Sequence, residues 1–260
     1  MEDVQSTMVP KYTARFFIAS SCLSFMFFTI LTCFISPIIS RIFISYGRLS
    51  KSKQCDWETR IASNLHAVIV SGISIYCLLF DHETNANPIW NDSFLPRLGV
   101  AITLGYIISD FFVIVINYNL IGDDAMLIHH VMAIIAYVFV VGIGLLPFFA
   151  NFRQLAECST VFVNQRWYFS VIGEPHSSRS FLINAWSMVI SFFLCRIAVI
   201  PYYYYKCFIV WDTPGRRLLG VIPQTLWIFT STVLDVLNVF WMTKMIRGGI
   251  KILKAQSKKQ

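Results

Sequence analysis

Two adjacent histidines, His129-His130, stand near the head of the apolar run 125–147. Imidazoles in or beside a bilayer are costly without partners, so the pair is a functional-site hypothesis from the outset. Consecutive helical residues diverge by about 100°. One histidine therefore acts on a cavity while the other orients it or faces a neighbouring helix. Asp110 lies in the preceding apolar run, 98–120. The connection between the runs is short, which makes them antiparallel neighbours. At about 1.5 Å rise per residue, the carboxylate and the imidazoles fall within roughly one to two turns of each other in depth. A histidine oriented by a carboxylate serves as a general base or as a covalent acyl carrier. Zinc hydrolysis is the competing chemistry: His66, His129 or His130, and Asp110 offer ligand types, but no HxxxH or HExxH pair is present. Di-iron oxygen chemistry draws on more histidines than these helices hold.

Other polar residues recur at helical spacing within apolar runs. Thr103, Tyr106, Asp110 and Asn117 share one face of a helix, as do Gln224, Ser231, Asp235 and Asn238. Arg153, Glu157, Thr160 and Asn164 form a third stripe, and Asn64 with His66 lies near the start of another run. Serine, threonine and asparagine often act as interhelical glue. The ionisable residues Asp110, Arg153, Glu157, Arg196 and Asp235 are harder to assign that way, because a charge at mid-bilayer costs at least roughly 2.5–3.5 kcal/mol on insertion scales. A Glu157–Arg153 ion pair is one structural outlet for it. The other is a water- or substrate-accessible cavity lined by His66, Tyr106, Arg153, Glu157, Asn164, Asp235 and Asn238.

The elements that must position these residues follow from composition. The chain has 260 residues, 56% hydrophobic and 13% charged, against about 25% charged in soluble domains. It reads as an all-α polytopic membrane bundle with about seven segments: 16–39 (a signal anchor), 61–80, 98–120, 125–147, 151–171, 181–203 and 218–246. The net charge of +7 is concentrated in 41–60 and in the tail after 244. Both clusters flank apolar segments, which argues against nucleic-acid binding and for the cytoplasmic side of a membrane. Placing both flanks on one side requires an even number of crossings between them. That requires 151–171 to cross despite its charges. The N-terminus is then lumenal and the C-terminus cytoplasmic, although Lys206, Arg216 and Arg217 fall on the lumenal side. Asn91-Asp92-Ser93 has the form of a glycosylation sequon. Seven cysteines lack any CxxC pattern and read as small buried residues. The chain divides into an anchor and basic loop (1–50), a main domain (51–254) and a short basic tail (255–260).

An ordered set of motifs carries a resemblance. It comprises Asn64-Leu65-His66-Ala67, the stretch Gly105 to Asp110, His129-His130, Ala156 to Thr160, Asn164 to Trp167, and Asp235 to Asn238. Together they resemble the TLC family (TRAM/Lag1/CLN8 homology) over roughly 56–254. The resemblance implies a helical domain around a lipid-accessible cavity, residence in the endoplasmic reticulum or linked membranes, and involvement with lipids. In the ceramide synthases of that family, paired histidines and following acidic residues carry acyl transfer from acyl-CoA to a sphingoid base. By position His129 and His130 take the histidine role and Asp110 a supporting one. The chain departs from that pattern in having no His-Asp dipeptide.

The leading reading is a multi-pass membrane protein of lipid homeostasis that binds or modifies a lipid or acyl chain inside the membrane. Acyl transfer is the best-suited chemistry, acyl-CoA its co-substrate, and no metal or other cofactor is required. The alternatives are a non-catalytic lipid sensor or cargo adaptor, and a zinc-dependent lipid hydrolase. Membrane lipids are the expected partners; the sequence names neither the lipid nor the oligomeric state.

Overall fold

A computed structural model describes residues 11–257, with side chains to residue 251. Among these residues there are helices and no strands. Six helices are long and apolar enough to cross a bilayer. They are α1 (Ala14–Ser40), α2 (Lys51–Phe80), α3 (Phe94–Ile116), α4 (Asp124–Ile143), α7 (Arg179–Trp211) and α8 (Val221–Ser257). Between α4 and α7 the chain forms α5 (Pro147–Gln154), a 3₁₀ turn (Leu155–Ser159) and α6 (Thr160–Ile172).

This interrupted segment corresponds to the predicted fifth span, and its contacts give its course. Ser74 Oγ donates to the Asn151 carbonyl, Asn164 Nδ2 donates to Asn64 Oδ1, and Tyr168 Oη donates to the Trp57 carbonyl. The segment thus runs antiparallel along α2 from Ser74 to Trp57. That is about 25 Å at roughly 1.5 Å per residue, close to the hydrocarbon thickness of about 30 Å. It traverses the bundle in three pieces rather than as one helix. Irregular backbone at that depth is tolerated when buried in protein, and here the 3₁₀ turn packs between α2 and α7.

Several boundaries differ from the hydropathy reading because caps, not apolarity, set them. α2 begins ten residues early, where Ser50 Oγ accepts from the Lys53 amide. α4 begins at an Asp123 cap, its side chain accepting from the Met126 amide, and ends at Gly144 in the left-handed conformation (φ 75°). Gly144 has no room for a side chain: a Cβ there would lie 2.9 Å from the Asp92 carboxylate. α3 stops at Asn117, whose amide nitrogen donates to the Val113 carbonyl, so Asn117 is a cap and not part of the polar face.

α1 is more than a lipid-facing anchor. It packs closely on α3, burying Phe17, Ser21, Ser24 and Phe28. Gly105 makes this possible, since a Cβ at that position would lie 2.3 Å from the Ser21 carbonyl oxygen. At the α3 N-terminus a buried ion pair, Arg97–Asp92 at 2.7 Å, also binds the backbone of Tyr12. These two residues lie between the predicted spans 61–80 and 98–120. The sequon beside them is folded into the same corner: Asn91 donates to Thr84 Oγ1 and Ser93 to Asp81.

The cysteines correct another expectation. Only Cys77 and Cys207 are buried; Cys22 and Cys33 are exposed on α1, and Cys55, Cys158 and Cys195 are intermediate. A thiol is apolar enough to face lipid, so apolar surroundings in sequence did not entail burial in the bundle.

Two contacts show which ends lie together. Ser52 at the start of α2 donates to the Leu120 carbonyl beside the α3–α4 turn. His129 near the start of α4 meets Trp241 toward the end of α8. Arg48, Lys51 and Lys53 therefore share one end of the bundle with Lys244, Arg247 and Lys251. Of the predicted tail 255–260, the last three residues lie outside the described region.

Candidate functional site

The two histidines have different environments. His130 is buried, with Nδ1 2.7 Å from the Met126 carbonyl and Nε2 2.9 Å from Asp110 Oδ2. A carbonyl only accepts, so Nδ1 carries a proton and donates it. Nε2 then shares a proton with the Asp110 carboxyl. Both ring nitrogens are committed, leaving no free lone pair for a general base. His129 points elsewhere. Its ring meets Trp241 edge-on at 5.5 Å, its Nδ1 has no hydrogen-bond partner, and it lines a cavity with α3, α5, α7 and α8.

The cavity is small, about 40 Å³. At roughly 10–15 Å³ per water, that is room for about three. Its polar wall includes Thr103, Gln154, Glu157, Arg153, Arg196 and Asn238. Local chain geometry explains why these converge. At the 3₁₀ turn, Arg196 Nε donates to the Ala156 carbonyl at 3.1 Å and to Ser159 Oγ at 2.9 Å. Arg196 also donates to Asn238 Oδ1 and Thr160 Oγ1. Arg196 itself sits in a π-helical turn of α7 (Phe193–Ile197), an irregularity frequent at functional sites. Two distorted turns on adjacent segments thus meet through one guanidinium.

Arg153 grips both oxygens of Asp235 on α8, with Nη2–Oδ2 at 2.9 Å, and its guanidinium lies 3.8 Å from the Tyr203 ring centroid. Its Nε is buried without a partner, as is Gln154 Oε1, whose amide nitrogen donates to Thr103 Oγ1 at 2.8 Å. Both atoms are closed off within the wall and not exposed on the cavity surface, Gln154 Oε1 lying toward Gly99.

A second cavity of similar size lies between α4 and α8. It is mainly apolar, with Val140, Phe149 and Trp227 among its walls. Tyr137, Arg153 and Leu234 line both cavities. The polar chamber therefore adjoins an apolar groove.

Comparison with known proteins follows this geometry. The model of the TLC domain matches residues 56–247. The chain belongs to the TLC-domain family. It is 44% identical to TLC domain-containing protein 4-A of Xenopus laevis, over 90% of this chain and 91% of that protein. It is 37% identical to TLC domain-containing protein 4 of Homo sapiens, over 94% and 93%. A Dictyostelium discoideum relative, TLC domain-containing protein 4 A, is 25% identical over 94% of each chain. No solved structure matches.

Within this TLC domain the sequence-predicted site residues separate into three groups. His129, Arg153, Glu157 and Asn238 line the polar cavity, and Asp235 joins them through Arg153. Asp110 and His130 form a pair beside it, so Asp110 orients His130 and not the cavity histidine. His66 and Tyr106 stack at 3.9 Å, and His66 Nε2 lies 3.3 Å from Thr103 Oγ1, so His66 stands behind the Thr103 wall. Asn164 is not part of the cavity: it bonds Arg60, Ser63 and Asn64 near the start of α2. The 3₁₀ turn breaks the single stripe that the spacing suggested, turning Asn164 away from Arg153. The suggested Glu157–Arg153 pair is replaced by Arg153–Asp235. Gln224 bonds Arg216 and lies outside the site. The residues considered for zinc do not converge; among the described residues no three His, Cys, Asp or Glu side chains form a metal-like group.

Gln154 was not singled out from sequence, although it is only 1% exposed and central to the cavity. Its signal was adjacency to Arg153 in an apolar run. Arg196 was seen as an intramembrane charge but not as a site residue; its π turn has no sequence signature that would have placed it there.

Proposed function

We propose that this multi-pass TLC-domain protein binds a membrane lipid within the bilayer and acts in lipid homeostasis of the endoplasmic reticulum. The lipid head occupies the polar cavity beside His129, and its chain follows the apolar groove between α4 and α8. The single observation carrying this reading is the junction of the two spaces at Tyr137, Arg153 and Leu234. A polar chamber opening onto an apolar groove matches an amphipathic ligand. A full-length chain needs more room than the present volumes, so binding parts α4 from α8.

The chemistry available is acyl transfer with His129 as general base. The His129 imidazole accepts a proton from a lipid hydroxyl or amine as that group attacks the thioester of acyl-CoA. The acyl–oxygen or acyl–nitrogen bond forms, the acyl–sulfur bond breaks, and the CoA thiol leaves with the proton. His130 and Asp110 hold the helix turn that presents His129. One observation favours a second reading, a lipid sensor or cargo adaptor without catalysis: His129 has no carboxylate orienting it. Lipid profiling of knockout cells separates the two. Rescue by wild type but not by His129→Ala, with both proteins folded and equally abundant, supports catalysis. Full rescue by His129→Ala removes it.

The orientation we propose places the C-terminus in the cytoplasm and the N-terminus in the lumen. The shared location of the two basic flanks supports it. A glycosylation reporter on the tail is expected to stay unmodified; a glycosylated tail overturns this orientation.

A further inference from the structure

Two thiols take no part in the chemistry proposed for His129. Cys158 lies in the 3₁₀ turn Leu155–Ser159 and Cys195 in the π turn Phe193–Ile197. Both are partly exposed, and Cys195 is among the residues lining the polar cavity. Their side chains are hydrogen-bonded to each other. Neighbouring residues fix the register that brings them together. Arg196, next to Cys195, donates to the Ala156 carbonyl and Thr160 Oγ1 on either side of Cys158, and to Ser159 Oγ beside it. The two turns pack directly on one another. A disulfide needs backbones already close and thiols facing each other, and both conditions are met here.

The depth of the pair restricts what can oxidise it. Cys158 falls near the middle of its segment, between Asn151 at the level of Ser74 and Tyr168 at the level of Trp57, and it touches Ser71 of α2. Glutathione disulfide is charged, and charge is costly at that depth. Hydrogen peroxide is uncharged, and its two oxygen atoms fit a cavity of about 40 Å³.

The geometry points to Cys158 and Cys195 as a redox-active thiol pair, which hydrogen peroxide converts to a disulfide joining the 3₁₀ turn to the π turn. The Cys195 sulfur, on the cavity side, attacks one peroxide oxygen. The S–O bond forms, the O–O bond breaks, and the second oxygen leaves with the thiol proton as water, giving a sulfenic acid. The Cys158 sulfur then attacks the Cys195 sulfur. The S–S bond forms, the S–O bond breaks, and the hydroxyl leaves with the Cys158 proton as a second water. Two thiols are oxidised by two electrons and one peroxide is reduced to two waters. The product fixes Ala156 and Glu157 against Arg196 on one side of the cavity and adds no restraint between α4 and α8. This chemistry is independent of what the cavity binds.

The test treats the reduced full-length protein in phosphatidylcholine nanodiscs with hydrogen peroxide at low molar excess. Remaining thiols are blocked after denaturation, and peptides are mapped by mass spectrometry without reduction. A peptide joining Cys158 to Cys195 is expected, with both thiols lost together. Amide hydrogen exchange across the two turns is expected to slow, and to recover on reduction with dithiothreitol. Cys158→Ser should abolish the crosslink and leave one or more added oxygens on Cys195. Survival of both thiols under conditions that oxidise Cys22, exposed on α1, overturns the pair. So does loss of either thiol in wild type without the crosslink. An unoxidised Cys195 in Cys158→Ser overturns its role as the attacking thiol. Unchanged exchange in the crosslinked protein overturns the bracing of the two turns, and an equal yield with glutathione disulfide overturns peroxide as the oxidant.

Discussion

Replacing His130 by alanine should cost far more stability than replacing its neighbour. His130→Ala removes two hydrogen bonds and strands the Asp110 carboxylate, whose side chain is 14% exposed. Breaking a buried pair by removing one partner costs about 3–5 kcal/mol; the residual exposure of Asp110 places this case near about 3. His129→Ala breaks no hydrogen bond at Nδ1 and loses mainly its contact with Trp241, about 1 kcal/mol. At roughly 2–4 °C per kcal/mol for a chain of this size, His130→Ala lowers Tm by about 6–12 °C and His129→Ala by about 2–4 °C. Adding Asp110→Asn to His130→Ala removes the stranded charge and recovers about half of the larger loss. The assay is thermal unfolding of the purified proteins by intrinsic fluorescence in one detergent. Scan rate is fixed, because unfolding of such proteins is commonly irreversible. Equal Tm shifts for the two single variants, or a larger one for His129→Ala, would refute the division of labour between the histidines.

Three further perturbations test other parts of the bundle. Asp235→Asn leaves the Arg153 guanidinium buried without its counter-ion and should destabilise by about 3–5 kcal/mol, whereas the joint Arg153→Met/Asp235→Leu protein should regain most of it; a joint loss equal to the single one contradicts this. Gly105→Ala forces α1 away from α3 and should cost more than about 2 kcal/mol, visible as increased proteolysis of α1; unchanged protection would show that the two helices do not meet at Gly105. Tyr46, between α1 and α2, donates to Glu58 and is 8% exposed. Burial first, and then Glu58, push its phenol up to about 12. The protonated form is therefore the one favoured by folding, so its contribution is complete below about pH 10 and lost as pH rises through 12. The advantage of wild type over Tyr46→Phe, about 1 kcal/mol, should be constant from pH 6 to 9 and vanish between 10 and 12; variation near pH 7 would exclude Glu58-bound phenol as its source.

The approach of Asp110 to the histidine helix was legible because a short connection and a fixed rise per residue determine relative depth. Which histidine Asp110 takes was not legible. Adjacent residues have the same depth and differ only in azimuth, which packing sets. The stripe of Arg153, Glu157, Thr160 and Asn164 failed for a related reason. Its spacing assumed one regular helix, and the 3₁₀ turn at Leu155–Ser159 rotates Asn164 toward α2.

By itself, the sequence determined the solvent and the class of the fold: apolar runs of bilayer length cannot leave their backbone unpaired in lipid, so they become helices, and the basic flanks lie at their ends. The motif order also determined the family. Only the tertiary structure decided that His130 is fully engaged and His129 open, that Arg153 takes Asp235 instead of Glu157, and that the polar chamber adjoins an apolar groove. Those outcomes depend on where two irregular turns, at Leu155–Ser159 and Phe193–Ile197, meet in space. They meet where Arg196 on the second donates to the Ala156 carbonyl and Ser159 Oγ on the first, and residue spacing within one helix carries no record of that.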